Sequence, residues 1–452
     1  MNIVIVGDGK VGATLVEHLS MEGHDVVVID RNQKIVEQLV NSYDVMGICG
    51  NGANCEIQLE AGVDNSDLFI AVTSSDELNI LSCLMAKKAG ASHTIARVRD
   101  PDYLNQLPFF KDALGLSMVV NPEYDAANEI AKVLRFPNAI NIETFYRGLV
   151  DLVEIKIDEA NPLCNMQLID IFNKFGIKIL VCAVQRKNDV LIPRGDFVFQ
   201  SGDRIHITAP RGVLVEFMKK LKIYKHRTKD IMIIGGGKMG YYLAHQLCET
   251  GGYNVKIIEI DEKRCEKLCE LLPDADIIHG DGTDRSILLE QGLENQDAFI
   301  TLTTIDEENI IASMYASSLG VSKTVAKVNR VSYEVLESIG IDSAISSKSI
   351  AANRIIGYAR ALENSGEESS VHTLYKLVGG QVEALEFKIE TGFSDIGIPL
   401  RDLRLKKDTL TACIIRNHKV IYPGGNDCIE LNDRVIIVTK SNHISSINEI
   451  FE

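Results

Sequence analysis

Residues 1–12, Met1-Asn2-Ile3-Val4-Ile5-Val6-Gly7-Asp8-Gly9-Lys10-Val11-Gly12, decide how the rest of this chain reads. Ile3 to Val6 is an apolar, β-branched run too short for a helix, which predicts a buried strand. Gly7, Gly9 and Gly12 follow in G-x-G-x-x-G spacing, and Val11, Leu15 and Leu19 then recur at helical spacing. A strand that turns through glycines into a helix presents backbone N–H groups where an anion is favoured. The first glycine permits the tight turn, the second admits a pyrophosphate to the backbone, and the third lets helix pack on strand. One such turn is equally well a plain tight turn. Asp30 strengthens it by closing the next apolar run, Val26 to Ile29. It stands about 20 residues past the glycines, where a carboxylate meets a ribose hydroxyl.

The chain then repeats all of this. Gly235-Gly236-Gly237-Lys238-Met239-Gly240 overlays Gly7 to Gly12, and Glu259 overlays Asp30. Gly50-Asn51-Gly52 overlays Gly280-Asp281-Gly282. Asp67 to Ile80 overlays Asp297 to Ile310, bringing Thr73 and Ser74 onto Thr303 and Thr304. Arg97 overlays Lys327, and Ala126-Ala127-Asn128 overlays Ala351-Ala352-Asn353. Matching order over so long a stretch marks an internal duplication. Strand runs at 3–6, 26–29, 45–48, 68–72, 94–98 and 118–120 alternate with helical patterns. The second copy repeats them at 231–234, 255–258, 276–278, 298–302, 324–328 and 344–346. The fold class predicted is α/β: two parallel Rossmann-like sheet lobes, each followed by a small α+β lobe. Boundaries are expected at 1–137, 138–224, 225–363 and 364–452, with linkers at 225–229 and 363–370. In the first small lobe strands are expected at 152–157, 177–184 and 204–208, and helices at 164–175 and 213–221. A helix at 442–451 should close the second.

Composition narrows the function. At 452 residues the chain exceeds what one core holds. Hydrophobic residues make up 46 % and charged residues 24 %, ordinary for a globular protein, and the net charge is -16. That charge argues against nucleic acid, which is bound through clustered Lys and Arg. No apolar run approaches a membrane span, and Met1 leads straight into a strand, so no secretory leader is expected. The ten cysteines contain no C-x-x-C pair; Cys265 and Cys269 stand four apart without a second ligand pair, so no metal site is expected.

Asp30 and Glu259 read as ribose acceptors that disfavour a 2′-phosphate, although Arg31 beside Asp30 can accommodate one. Lys10 and Lys238 either face solvent or meet phosphate; recurrence beside both turns favours phosphate. Thr73, Ser74, Thr303 and Thr304 follow the fourth strands at the ligand edge, and Ser74 or Ser75 and Thr304 are also helix N-cap candidates. Arg97 and Lys327, on fifth strands, should reach a nucleotide or an acidic neighbour. Asp281 and Thr283 become Asn51 and Ala53 in the first copy, so the two sites should differ. None of the ten histidines recurs between halves, and there is no P-loop, so neither acid–base catalysis nor ATP hydrolysis is indicated. The rival readings are an NAD-dependent oxidoreductase with its substrate site in the small lobes, and an assembly scaffold without a ligand.

The glycine turn, Asp30, Ala71-Val72-Thr73-Ser74-Ser75-Asp76-Glu77, Ile95-Ala96-Arg97-Val98-Arg99-Asp100-Pro101-Asp102-Tyr103 and the second copy together resemble the TrkA family. These are the regulatory subunits of Trk/Ktr-type potassium uptake systems, built as two tandem RCK (regulator of K+ conductance) units. The resemblance spans the whole chain. It implies a non-enzymatic, cytoplasmic protein, peripheral on the inner face of the membrane, that binds NAD(H), with ATP and ADP as alternatives. It implies docking on a membrane potassium-translocating subunit of the TrkH/KtrB type and a homo-oligomer, a dimer of chains or a larger even assembly. Carried over, the first site is Gly7, Asp8, Gly9, Lys10, Val11, Asp30, Thr73, Ser74 and Arg97. The second is Gly235, Gly236, Gly237, Lys238, Met239, Glu259, Thr303, Thr304 and Lys327. Gly12, Gly240, Asn51 and Asp281 complete the candidate set.

Overall fold

The computed structural model describes residues 1–7, 9–104, 106, 114–135, 141–145, 150–187, 189–223, 228–329, 341, 343–363, 371–377, 381–440, 444 and 446–451. Pro137 and linker positions 225–227 and 364–370 lie outside them.

The first half opens with β1 (Asn2–Val6), α1 (Lys10–Met21), β2 (Asp25–Asp30), α2 (Gln33–Ser42), β3 (Met46–Cys49) and α3 (Cys55–Glu60). It continues with β4 (Leu68–Ala71), α4 (Asp76–Ala89), β5 (His93–Arg97), α5 (Pro101–Leu104), β6 (Met118–Val120) and α6 (Pro122–Arg135). The sheet order is β3-β2-β1-β4-β5-β6, all parallel, so the chain reverses direction across the sheet between β1 and β4. Ligands bind at such a reversal, outside the carboxyl ends of the strands. The small lobe adds β7 (Asn141–Phe145), β8 (Val150–Lys156), α7 (Asp170–Phe175), β9 (Leu180–Arg186), β10 (Asp189–Leu191), β11 (Arg204–Thr208) and α8 (Arg211–Lys220). Its antiparallel order is β10-β9-β11-β8-β7.

The second half repeats the plan. Its parallel sheet is β14-β13-β12-β15-β16-β17, made from β12 (Asp230–Ile234), β13 (Asn254–Glu259), β14 (Ala275–His279), β15 (Ala298–Thr301), β16 (Lys323–Lys327) and β17 (Ser343–Ile345). Its helices are α9 (Lys238–Thr250), α10 (Glu262–Leu271), α11 (Arg285–Glu290), α12 (Asp306–Ser318) and α13 (Ser347–Glu363). The second small sheet has β18 (Val371–Leu377), β19 (Val382–Lys388), β20 (Thr409–Arg416), β21 (Lys419–Ile421) and β22 (Arg434–Thr439) in the same order as the first.

Two small-lobe helices are shorter than expected. Asn165, with φ +62°, takes a left-handed turn that α-helix cannot continue through, so only Asp170–Phe175 is helical in the first. At the C-terminus the described residues hold a single 3₁₀ turn, Ile447–Ile450, opened by a Ser446–Glu449 capping box. Ile444, Ile447 and Ile450 are buried at a spacing of three, the period of a 3₁₀ helix.

The arrangement of the halves follows from α6 and α13. Pro122 suits the first turn of α6, and Asn121 Oδ1 caps it by accepting from Tyr124 N at 2.9 Å. The face Ala126, Ala127, Ile130, Ala131 and Leu134 is buried, but against the other half: it packs on α9 and meets β17 of the second Rossmann lobe. Reciprocally, Ala351, Ala352, Ile355, Ile356 and Ala359 of α13 pack on α1 and meet β6 of the first. The two helices also meet, with Arg354 Nη1 donating to both Asp125 carboxylate oxygens at 2.7 Å. Each buried Ile or Leu of such a face contributes about 1.5–3 kcal/mol. The small sheets pack face to face as well: Leu152, Cys182, Ala183 and Val190 share a core with Ala384, Ala412, Cys413 and Ile436. One chain is therefore an internal dimer of its two halves.

Candidate functional site

The last residue of β1 is Val6, and Gly7 turns the chain with φ +94°; Gly235 does the same after β12 with φ +98°. A Cβ on Gly7 would lie 2.8 Å from Thr73 N, so the turn rests on the chain leaving β4. A Cβ on Gly12 would lie 2.1 Å from Gly7 O, and on Gly240 2.2 Å from Gly235 O, so the third glycines are required by helix–strand packing. Gly9 and Gly237 differ: a Cβ there meets nothing within 4 Å. These two are the N-caps of α1 and α9, neither helix has a side-chain cap, and neither has an acid in its first turn. The leading N–H groups of both helices thus face open space with their partial positive charge uncompensated.

The carboxylates stand where expected and are already engaged. Asp30 Oδ1 accepts from Asn32 N at 2.8 Å. Glu259 Oε1 accepts from Asp261 N at 2.9 Å, and its Oε2 reaches across the turn to accept from Gly236 N at 2.6 Å. Arg264 Nε donates to Gly236 O at 2.7 Å, so the Gly236 backbone is held at both its N–H and its carbonyl. Ile35 occupies the corresponding place in the first copy. After β14, Asp281 Oδ1 accepts from both Thr283 N and Thr283 Oγ1. Asn51 keeps only the backbone bond, from Ala53 N at 3.3 Å. Gly52 and Gly282 bring these loops down on β1 and β12, where a Cβ would lie 2.0 Å from Val6 Cγ1 and 2.2 Å from Ile234 Cγ2. The repeated Gly-x-Gly in the sequence was the signal for that contact.

Thr73 and Thr303 are positioned by residues that sequence reasoning passed over, Asn79 and Asn309. Both are fully buried. Asn79 Oδ1 accepts from Thr73 N and Oγ1, each at 2.7 Å, and its Nδ2 donates to the carbonyls of Thr73 and Arg97. Asn309 likewise accepts from Thr303 N and donates to the carbonyls of Thr303 and Lys327. Asp76 makes a further tie, accepting from Arg99 N at 2.8 Å and Asp100 N at 2.9 Å. Ser75 caps α4 through Leu78 N, while Ile305, not Thr304, is the N-cap of α12. Ser74 and Thr304 are exposed beside them.

Arg97 and Lys327 both donate to the carbonyl of the threonine before the loop, Thr73 and Thr303. Burial, with Arg99 nearby, pushes the Arg97 guanidinium down to about 10, so it remains a cation at neutral pH. Lys238 is claimed by the other half: its Nζ lies 2.9 Å from Asp100 Oδ2. Beside it Tyr242 donates to Arg99 O at 2.8 Å, and Asn121 Nδ2 donates to the Tyr242 hydroxyl at 3.1 Å. Asp8 and the Lys10 side chain lie outside the described residues, while Val11 and Met239 are buried on the helix faces.

The small lobes carry a repeated constellation of their own. Arg186 grips Asp203 through Nε and Nη2, and Arg416 grips Asp433 the same way. Arg204 pairs with Glu154 and Arg434 with Glu386, each at 2.7 Å. The Asp203 and Asp433 carboxylates are both buried. Among the described residues no group of His, Cys, Asp and Glu could hold a metal ion, and no helix is long and apolar enough to cross a membrane.

Glycine turn, strand-end acid and threonine loop, set in a six-stranded parallel sheet, followed by a five-stranded antiparallel lobe and then repeated, define a tandem RCK chain. Comparison with known proteins gives the particular family. The TrkA-N domain model matches residues 3–122 and 231–347, and the TrkA-C domain model matches residues 152–222. The Trk system potassium uptake protein TrkA homolog of Archaeoglobus fulgidus is 32 % identical over 452 residues, covering 100 % of both chains. The Trk system potassium uptake protein TrkA of Halomonas elongata is 30 % identical over 457 residues, covering 100 % of this chain and 99 % of its own. The chain belongs to the TrkA family of potassium uptake proteins. In fold it is similar to the GsuK channel bound to NAD, with TM-score 0.61 and 18 % identity, over 97 % of this chain and 77 % of that one.

Proposed function

We propose that this chain is a nucleotide-sensing regulatory subunit that binds NAD(H) at both glycine turns, with ATP and ADP as competing ligands. It docks from the cytoplasmic side on a membrane potassium-translocating subunit and sets its opening. The observation that carries this reading is the duplicated open helix start, Gly9 and Gly237, without a side-chain cap and with open space around each glycine. The relatives' names, which place them in potassium uptake, support the partner. A binding role rather than catalysis accords with the small lobes, where the repeated arginines and acids are spent on one another. In this reading the pyrophosphate meets the N–H groups of α1 and α9, the ribose replaces the backbone partners of Asp30 and Glu259, and Thr73 and Thr303 border the far end. The two sites differ in affinity, because Asp281 and Thr283 of the second stand where the first has Asn51 and Ala53. A ligand shifts the conformation only by its difference in affinity between states. An even assembly of chains, each already an internal pair, presents these lobes to the membrane partner.

The test is calorimetric titration of NAD, NADH, ADP and ATP into wild type, Asp30→Ala and Glu259→Ala. Each substitution should weaken one site by about tenfold or more, the scale of a lost hydrogen bond to a charged group. Absence of binding heat for all four ligands would refute the reading, and equal losses in the two variants would refute the inequality of the sites.

A further inference from the structure

The helix that starts at the first phosphate turn ends in a buried ionic joint with the opposite small lobe. α1 has twelve residues, a rigid rod of about 18 Å, and Glu22 is its C-cap. Arg360, on the exchanged helix α13, donates to Glu22 through Nη2 at 2.7 Å and Nε at 3.2 Å. The same guanidinium donates through Nη1 to both oxygens of Glu383, at 3.2 and 3.3 Å. Glu383 belongs to β19 of the second small sheet. All three side chains are nearly sealed from solvent, with exposures of 6 %, 6 % and 2 % for Arg360, Glu22 and Glu383. Two carboxylates share one guanidinium, so displacing any member strands charge in a dry environment. The rod is seated along its length too: Val11, Leu15 and Leu19 lie in one apolar cluster with Ile355 and Ile356, and that cluster runs on to Leu385 and Phe387 beside Glu383.

The second half has no carboxylate at the position matching Glu22. Thr250 ends α9 where Glu22 follows α1, and the neighbouring Glu249 is exposed and paired with His245. Asp151 occupies the place of Glu383, and Arg211 of its own lobe lies 3.3 Å from it.

We propose that Arg360 is a coupling residue, transmitting ligand occupancy of the first glycine turn along α1 to the second unit's small lobe. This rests on the reading of the turns as nucleotide sites. The second unit's small lobe thereby answers to a site in the first unit.

Hydrogen exchange of the full chain with and without saturating NADH tests it, with binding heat measured on the same samples. In wild type, NADH slows exchange over 382–388 by about fivefold, the lower end of ordinary coupling. Asp30→Ala abolishes that response. Glu22→Gln keeps the binding heat and loses the response over 382–388, while 150–156 behaves as in wild type. Arg360→Lys, which retains a charge for the buried acids but cannot fork between them, loses it as well. No binding heat in wild type overturns both the site reading and this inference. Binding heat without a change over 382–388 overturns the inference alone. So does a response that survives Asp30→Ala, or one that survives both Glu22→Gln and Arg360→Lys.

Discussion

Gly9 and Gly12 stand three residues apart in one motif, yet different demands hold them. Gly12 is required by the protein, since its Cβ would meet Gly7 O. Gly12→Ala should therefore cost about 1–3 kcal/mol, the usual scale of overpacking, and lower the melting temperature by several degrees in calorimetry. Gly9 has negative φ and open space around its Cβ position. Gly9→Ala should leave the melting temperature nearly unchanged while weakening NADH binding by about tenfold. A loss of stability there equal to that of Gly12→Ala would show that protein packing, not a ligand, demands the glycine. Glycine spacing was legible because it records backbone geometry that one stretch of chain imposes on itself. Asn79 and Asn309 were not: a polar side chain bonded to two separate segments looks, in sequence, like any helix asparagine. Lys238 was half legible. Its place beside a phosphate turn could be read, but its partner Asp100 comes from the other half of the chain.

At the scale of elements, the parallel strands were found almost to the residue because buried strands are plain apolar runs. The small lobes were harder, since their strands carry charge inward. β11 holds Arg204 and His206, both buried. His206 lies beside Glu154 and Arg204, its Nε2 has no hydrogen-bond partner among the described residues, and burial holds its pKa below the ordinary value. The unfolded chain, with a histidine pKa of about 6.5, binds that proton more tightly than the folded one. Stability should thus be full above about pH 6.5 and decline as acid is added below it. The second small sheet has Ile436 at this place. His206→Ile should fold normally and flatten the decline of melting temperature between about pH 6.5 and 5. An unchanged slope would place the acid sensitivity elsewhere, His93 being a second candidate lowered chiefly by burial.

For the molecule as a whole, the duplication was visible in the sequence and the exchange of α6 and α13 was not. An amphipathic helix shows that it has a buried face but does not name the partner. Because each Rossmann lobe is covered by the other unit's helix, neither half is self-sufficient. Residues 1–224 made alone should dimerise, one copy's α6 taking the position of α13 on the other's α1. Sedimentation of that fragment checks this, and a stable monomer would contradict the shared core. The same exchange sets an order of events during synthesis. The first lobe leaves the ribosome with the α13-facing side of α1 bare, and its cover is not made until position 363. At ordinary translation speeds the delay is on the order of 10–50 s. For that interval a nascent chain displays a sticky face tailored to a helix not yet synthesised. Two chains growing side by side on one message would each offer the other an α6 helix before α13 exists. The long gap between lobe and cover is thus a point in the protein's life where chaperone capture competes with pairing between neighbouring chains.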